Sequence, residues 1–402
     1  MTPDAGDRRL HWLDGLRGVG AVIVLLSHTI SSFLPGVGRA AFGTPLNILF
    51  DGSSAVFVFF LLSGVAMSYS FAGDWRGLPA AITRRFIRLG LPMASALALG
   101  AAFLSVMPSI HIATAQLVGS GGTLGTFPVI VPTLQMLARQ IAIEGMFVGA
   151  DGNSLLPGGR VDWFPLTSFT GLLDPPLWTL HIEWIGSMLV LLLTTASAAV
   201  GRRTSLAVAI IAGLSVGNSL LLLFVVGHVA SPWLRRPVRR PWLGAAMLAA
   251  GVLVCSAGVL KPIAITLRYL PDPPLGLPLR ADELQKIVGA VLLFTGVALS
   301  PSVSALLSSR VARWLGRLSF SIYLIHFPVL LTVSCAVFSA AASRMPSWTA
   351  GLLACATEFA VTVLMAAIFA RLVDRPAIRL SRRITRCGNS DVAIVFGAWT
   401  RC

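Results

Sequence analysis

The first apolar run of the chain holds two side chains suited to acid–base and anion chemistry. Arg17 and His28 are eleven residues apart between Trp12 and Phe33. In a helix, that step leaves them within roughly 20° of one another, about 16 Å apart along one stripe. Asp14, one turn before Arg17, extends the stripe. A charged and a titratable residue inside a membrane-length segment mark a functional site, so we expect this face to line a protein interior or a wet cavity.

The fourth apolar run, which opens PPLWTLHIEWIGS, contains an acid. Thr179, Glu183 and Ser187 step by four along one face of the expected helix. A carboxylate at membrane depth needs a cation or a hydrogen-bond donor, and Arg17 or His28 is the expected partner. A carboxylate bound to a histidine would orient it as a general base. The alternative is a purely structural ion pair.

Further polar side chains interrupt the apolar runs. Ser319, Tyr323 and His326 share one face near the C-terminus. Such a histidine either binds substrate or is only a packed, hydrogen-bonded residue. Glu358 lies near the middle of the last run without an evident partner. His181 lies two residues before Glu183, so we expect it on the opposite side of that helix, at the membrane interface.

The segment ITRRFIRLGLP carries three arginines that suit an anionic ligand. Arg84, Arg85 and Arg88 are spaced three and four apart at the expected start of a helix. The helix dipole disfavours cations there, so a bound anion such as a nucleotide pyrophosphate would stabilise them. A topology signal explains the cluster equally well. In the preceding run, Ser63 and Gly64 favour close helix packing. Ser63 is also a candidate substrate contact and a candidate covalent carrier of the acyl group, and the sequence leaves direct and carrier-mediated transfer both open.

The composition excludes an ordinary soluble domain. Hydrophobic residues make up 55% of the 402 residues, charged residues 12%, and the mean hydropathy is +0.82. These values indicate a polytopic membrane protein of the all-α class. The net charge of +15 comes from arginines at the ends of apolar runs, which is typical of orientation signals, so we expect lipid contact and no nucleic acid. The five cysteines show no metal-binding or disulfide spacing, and we expect no metal. The first run is expected to be a retained span rather than a cleaved signal.

The basic clusters predict the topology. Nine apolar runs are visible by eye, and cytoplasmic clusters require an even number of crossings between them. Residues 205–234 satisfy this rule only as two short helices, which gives about ten transmembrane helices with both termini cytoplasmic. Residues 108–177 form a long external connection with one helical stretch near 134–147. We assign 1–383 to one membrane domain and leave 384–402 as an unassigned tail.

Six motifs in series resemble the membrane acyltransferase-3 family, which includes O-antigen and exopolysaccharide O-acetylases. They run from residue 13 to about 383: LDGLRG followed by His28, FFLLSG, RRFIRLGLP, LWTLHIE, LGRLSFSIYLIHFP and VDRPAIRL. The resemblance implies ten spans, an acyl-CoA donor bound from the cytoplasm, and essential residues at Arg17 and His28. Two departures are a single acid, Glu183, where the family commonly has two, and Asp374 where it often has Glu. From the length of 402 residues we expect no additional esterase-like domain of the kind that some members carry.

We therefore expect an integral membrane O-acyltransferase of the inner (plasma) membrane. It would transfer a short acyl group, in this family most often acetyl, from acyl-CoA to a hydroxyl of a carbohydrate or lipid-linked glycan. A proton-coupled secondary transporter is the alternative, since it also uses intramembrane Arg, His and Glu, and a sensor without chemistry is a third class. The expected catalytic residues are His28 as general base, Arg17 and Glu183; Arg84, Arg85 and Arg88 would bind coenzyme A; Asp14, Ser63, Tyr323 and His326 would contact substrate.

Overall fold

The computed structural model describes residues 10–71, 75–119, 124–150, 168, 171–200, 202–216, 219–234, 238–257 and 281–387. The basic pairs at 8–9 and 235–236 and most of the C-terminal tail lie outside these residues. Within them the fold is a helical bundle, which confirms the all-α class. Its longer apolar helices are α1 (His11–Phe33), α2 (Gly52–Ser70), α3 (Leu78–Val106), α4 (Trp178–Ala199), α5 (Arg202–Ser215), α6 (Leu221–Leu234), α7 (Pro241–Ala257), α8 (Ala281–Leu299), α9 (Arg310–Val329) and α10 (Ser347–Phe369).

Six helical segments of the described chain are long and apolar enough to cross a membrane. They are His11–Phe33, Gly52–Ser70, Trp75–Val106, Pro175–Ala199, Arg310–Ala342 and Ser347–Ile384. Glu283–Leu299 and Pro301–Leu307 would form a seventh if this pair, bent by 96°, is one span. The apolar parts of α5, α6 and α7 are shorter. The protein is thus a multi-pass membrane protein, and the count of ten spans is not confirmed.

The predicted division of residues 205–234 into two helices is confirmed. α5 ends at Ser215, and α6 begins at Leu221. α6 packs against α2, where a Cβ on Gly64 would collide with the backbone of Phe224 and a Cβ on Gly227 with that of Leu61. Gly64 therefore serves close helix packing, as the sequence favoured.

The central contact of the bundle joins α1 to α9. A Cβ on Gly18 would collide with Gly316, and one on Gly316 would collide with the backbone of Asp14. Further along, the rings of His28 and His326 are neighbours. The two helices therefore run in the same direction, and the polar stripe of α1 lies beside the polar face of α9.

The long connection before α4 folds back onto the bundle. Its helical stretch is confirmed as Leu134–Arg139, which continues as a π-helix over Gln140–Val148. The π-helix packs on α3 and α4, and the buried imidazole of His181 donates from Nδ1 to the carbonyl oxygen of Met146 (2.9 Å). The interfacial position predicted for His181 is therefore wrong, because the folded-back segment covers that face. A second short helix in the connection, Ile110–Val118, was not predicted.

Candidate active site

A cavity of about 70 Å³ lies between α1, α2, α3, α4 and α9. Each of these helices contributes a polar side chain that the sequence had singled out. This arginine cavity is lined by Arg17, Val56, Phe59, Phe60, Ser63, Arg85, Arg88, Leu89, Thr179, Leu180, Glu183, Ser319, Phe320 and Tyr323.

Glu183 pairs with Arg85 across α3 and α4. The guanidinium Nη2 of Arg85 contacts Glu183 Oε1, and its Nε donates to the hydroxyl of Ser187 (2.8 Å). Both side chains are largely buried. The prediction that Glu183 pairs with Arg17 or His28 is wrong, because α3 packs against α4 and places Arg85 nearer. The charge of Arg85 is consequently compensated inside the protein.

Arg17 and Arg88 are the two cations of the cavity without an ion pair among the described residues. Both lie within electrostatic range of Arg85. Both also lie within electrostatic range of Asp374, a carboxylate near the C-terminal end of the sequence. Arg88 is exposed, so the cavity reaches the surface beside it. Three arginines against two carboxylates leave the site with an excess of positive charge.

The arginine cluster does not lie at a helix N-terminus. α3 begins at Leu78, with Pro79 in its first turn, so Arg84, Arg85 and Arg88 fall in its second and third turns. The dipole effect fades beyond the first turn, and that part of the prediction is wrong. Arg84 does not line the arginine cavity.

An aromatic pair, Phe59 and Tyr323, separates Arg17 from His28 along α1. The Tyr323 hydroxyl donates to the carbonyl oxygen of Pro176 (2.7 Å) and is 2.8 Å from the hydroxyl of Thr179. The ring of Phe59 lies edge-on to that of Tyr323 (centroids 6.3 Å apart) and close against Gly20 of α1, where a Cβ would collide with it. Gly20 follows Arg17 by one turn.

Beyond the aromatic pair, His28 lies beside His326. The ring centroids are 5.3 Å apart, and Phe327 packs edge-on to His28 at the same distance. The Nδ1 of His326 bonds to the Tyr323 carbonyl oxygen (2.8 Å), which only accepts, so Nδ1 carries the proton. The buried Nε2 of His326 has no hydrogen-bond partner among the described residues. It therefore offers a lone pair next to His28.

Two other acids lie away from the arginine cavity. Asp14 sits at the beginning of α1, where its backbone contacts Gly316. Glu358 is fully buried and accepts hydrogen bonds from the hydroxyls of Ser334 (2.7 Å) and Thr362 (2.9 Å). The sequence analysis found no partner for Glu358, and the structure corrects this. Thr362 lies one turn further along the same helix and could have been recognised from its spacing, whereas Ser334 comes from a neighbouring segment and could not.

Comparison with known proteins identifies the family. A family model described as an acyltransferase domain, acyltransferase 3, matches residues 10–367. The chain belongs to the acyltransferase-3 family. The chain thus contains an acyltransferase domain, and the resemblance seen in the six motifs is confirmed.

Two curated proteins are similar to this acyltransferase. Acyltransferase R4 of a Phoma species is 25% identical over 257 residues, which cover 56% of this chain and 54% of that protein. O-acetyltransferase PaAT-1 of Phomopsis amygdali is 24% identical over 370 residues, 80% of this chain and 72% of that protein. The matched region of this acyltransferase thus spans about half the length of the first relative and most of the second. No solved structure matches it.

One buried acid of this acyltransferase was missed in the sequence. Asp174 precedes the two prolines before α4, is fully buried, and neither carboxylate oxygen has a donor among the described residues. Burial raises the pKa of Asp174 well above its usual value. The phenol of Tyr323 lies within electrostatic range of this acid. The two prolines that follow Asp174 indicate the start of a helix. They do not indicate that the acid before them is buried. Within the described part of the chain, no three His, Cys, Asp or Glu side chains converge as a metal site.

Proposed function

We propose that this acyltransferase is a membrane O-acyltransferase that transfers acetyl from acetyl-CoA to a hydroxyl of a carbohydrate or lipid-linked glycan. The observation that carries the proposal is the arrangement of one helix. α1 places Arg17 in an electropositive cavity and His28 beside a second histidine, about 16 Å further along. The electropositive cavity would bind the anionic donor, and the histidine pair would activate the hydroxyl of the acceptor. The name of the relative PaAT-1, an O-acetyltransferase, supports acetyl as the group transferred.

Arg17 and Arg88 would bind the phosphates of the donor. Their charges are free of ion pairs among the described residues, and guanidinium groups bind phosphate in a bidentate manner. The cavity of about 70 Å³ suits a phosphate-sized group, so the nucleotide would extend outward past Arg88. Arg85, held by Glu183 and Ser187, would fix the geometry of this binding site rather than bind the donor through its full charge.

The acyl end of the donor would reach His28 along α1, past Phe59 and Tyr323. His28 would take the proton of the acceptor hydroxyl, whose oxygen attacks the thioester carbonyl carbon. The carbon–sulfur bond then breaks, and the coenzyme A thiolate takes the proton from the His28 imidazolium. The unpartnered Nε2 of His326 would hold the hydroxyl or a protonated His28 in place by accepting a hydrogen bond.

Direct transfer is preferred to a covalent carrier. Ser63, the candidate carrier, lines the arginine cavity, and no histidine lines that cavity with it. A serine without an adjacent base is a weak nucleophile. The hydroxyl of Ser63 would instead contact the donor.

The same side chains would also suit a proton-coupled transporter, the competing class. Family membership favours the enzyme. The test uses purified protein in nanodiscs with radiolabelled acetyl-CoA, and the measurement is release of the free coenzyme A thiol. The enzyme releases thiol and labels a hydroxyl acceptor, whereas a carrier does neither. We place the protein in the plasma (inner) membrane with both termini cytoplasmic, as the arginine clusters suggest.

A further inference from the structure

A second, larger cavity lies at the end of the bundle where α1 and α7 begin and α6 and α8 end. Its volume is about 850 Å³, and it shares no lining residue with the arginine cavity. Most of its lining is apolar, with Trp12 and Phe294 in mutual contact inside it (ring centroids 5.5 Å apart).

Two arginines supply the charge of this lining. Arg239 and Arg240 are both exposed, and no Asp or Glu lines the cavity in the described part of the chain. The backbone N–H of Arg240 donates to the carbonyl oxygen of Leu299 (3.1 Å), where the chain turns by 96° into Pro301–Leu307. This bond fixes the beginning of α7 to the end of α8 and so holds the arginine pair at the cavity.

Exposed aromatic and aliphatic side chains surround this end of the bundle. Trp233 is 67% exposed, Trp242 70% and Val238 51%. Tryptophans concentrate where a membrane meets water. The exposed tryptophans are typical of the headgroup level of a membrane, which is where we expect the arginine pair to lie, with the apolar volume beside it.

We propose that this cavity binds an anionic phospholipid. Its phosphate would bind Arg239 and Arg240, and an acyl chain would occupy the apolar volume near Trp12 and Phe294. Basic pockets between membrane helices recognise anionic headgroups in this way. A free phosphate would use the two charges and leave about 850 Å³ of mainly apolar cavity unfilled, so the lining favours the lipid.

The test is native mass spectrometry of the full-length purified protein, titrated with phosphatidylglycerol, phosphatidylcholine or glycerol 3-phosphate. We expect phosphatidylglycerol to bind more tightly than phosphatidylcholine. The double variant Arg239→Gln/Arg240→Gln should weaken phosphatidylglycerol binding by at least about tenfold. The matched control Arg379→Gln/Arg383→Gln removes two exposed arginines from the basic helix Arg375–Cys387, away from the cavity, and should bind as the wild type does.

A second variant separates the apolar part of the site from its charge. Ala298→Phe fills the cavity without changing charge, and it should weaken phosphatidylglycerol binding while the protein stays monodisperse. Three results would overturn the proposal: equal binding of both phospholipids, an Arg239→Gln/Arg240→Gln protein that binds as the control does, or competition by glycerol 3-phosphate at concentrations similar to those of the lipid. The last result would assign the cavity to a soluble anion.

Discussion

Glu183 of α4 binds Arg85 of α3, so the acid of the LWTLHIE motif compensates an arginine of the RRFIRLGLP motif. This pair decides how charge is distributed in the arginine cavity. Arg17 and Arg88 keep the charge that an anionic donor requires, while Arg85 is held in place by two partners on one helix.

Neutralising Arg17 or Arg88 should weaken donor binding. Each guanidinium–phosphate contact that is lost should raise the apparent Michaelis constant for acetyl-CoA by about tenfold or more, with a smaller effect on kcat. The measurement is initial-rate kinetics of thiol release. Arg84→Gln is the control, because Arg84 belongs to the same cluster but does not line the cavity. An Arg84→Gln effect as large as that of Arg88→Gln would contradict the assignment.

Breaking the Arg85–Glu183 pair should destabilise the protein. Removing one partner leaves an unpaired charge inside the bundle, which costs about 3–5 kcal/mol. Arg85→Gln and Glu183→Gln should therefore each lower the Tm in detergent, and the double variant should lose less than the sum of the two. Additive losses would show that the two side chains act independently.

Asp174→Asn should stabilise the protein at neutral pH. The pKa of this buried acid is raised, so the folded protein binds its proton more tightly than the unfolded chain does. The stability from that proton is complete below pH about 4, the value of an unfolded Asp, and is lost as the pH rises through the folded pKa. Asparagine stays neutral and should remove this loss, which thermal unfolding between pH 5 and pH 9 would measure.

Asp51 provides the matched control for Asp174. Its carboxylate accepts from the backbone and hydroxyl of Ser54 (3.2 and 2.6 Å) and lies 3.3 Å from Lys286 Nζ. Asp51→Asn should lower the Tm at neutral pH, because these contacts depend on the charged form. A lower Tm for Asp174→Asn at neutral pH would instead show that Asp174 has a partner that it needs.

Cysteine labelling should place positions 203 and 236 on the same side of the membrane, in the cytoplasm, and position 343 on the opposite side. The reason is that residues 202–234 form two helices, α5 and α6, rather than one. Labelling of 203 and 236 from opposite sides would mean that only one of these helices crosses.

The sequence predicted the helices well because lipid requires every backbone polar group to be satisfied within a helix, which leaves a clear apolar pattern. It also predicted that Arg17, Tyr323 and His326 lie on helix faces directed into the bundle, since the 3.6-residue period of a helix determines which side chains share a face. Partners across the bundle could not be predicted in this way. Glu183 was assigned to the wrong cation, and Ser334 was not recognised as a partner of Glu358, because both pairings depend on which helices pack together. Thr362, four residues after Glu358 on the same helix, could have been recognised.

The burial of His181 and Asp174 escaped prediction for a related reason. The connection that folds back before α4 covers His181 and contains Asp174, whose neighbour Leu173 donates its backbone N–H to Gln140 of the π-helix (3.1 Å). Nothing in the Gly- and Pro-rich sequence of this connection shows that its π-helix enters the bundle. The arginines of α3 were placed too close to a helix start because the apolar run begins later than the helix does.

The central claim is that His28 is the general base of acyl transfer. The most direct measurement compares His28→Ala with the wild type in nanodiscs, following transfer of labelled acetyl to a hydroxyl acceptor and, separately, binding of acetyl-CoA. We predict that kcat falls by about 10²–10⁴, as for loss of a general base, while the Kd for acetyl-CoA is unchanged, since the proposed phosphate site at Arg17 lies about 16 Å away. Normal transfer by His28→Ala protein, at wild-type expression and donor binding, would contradict the account.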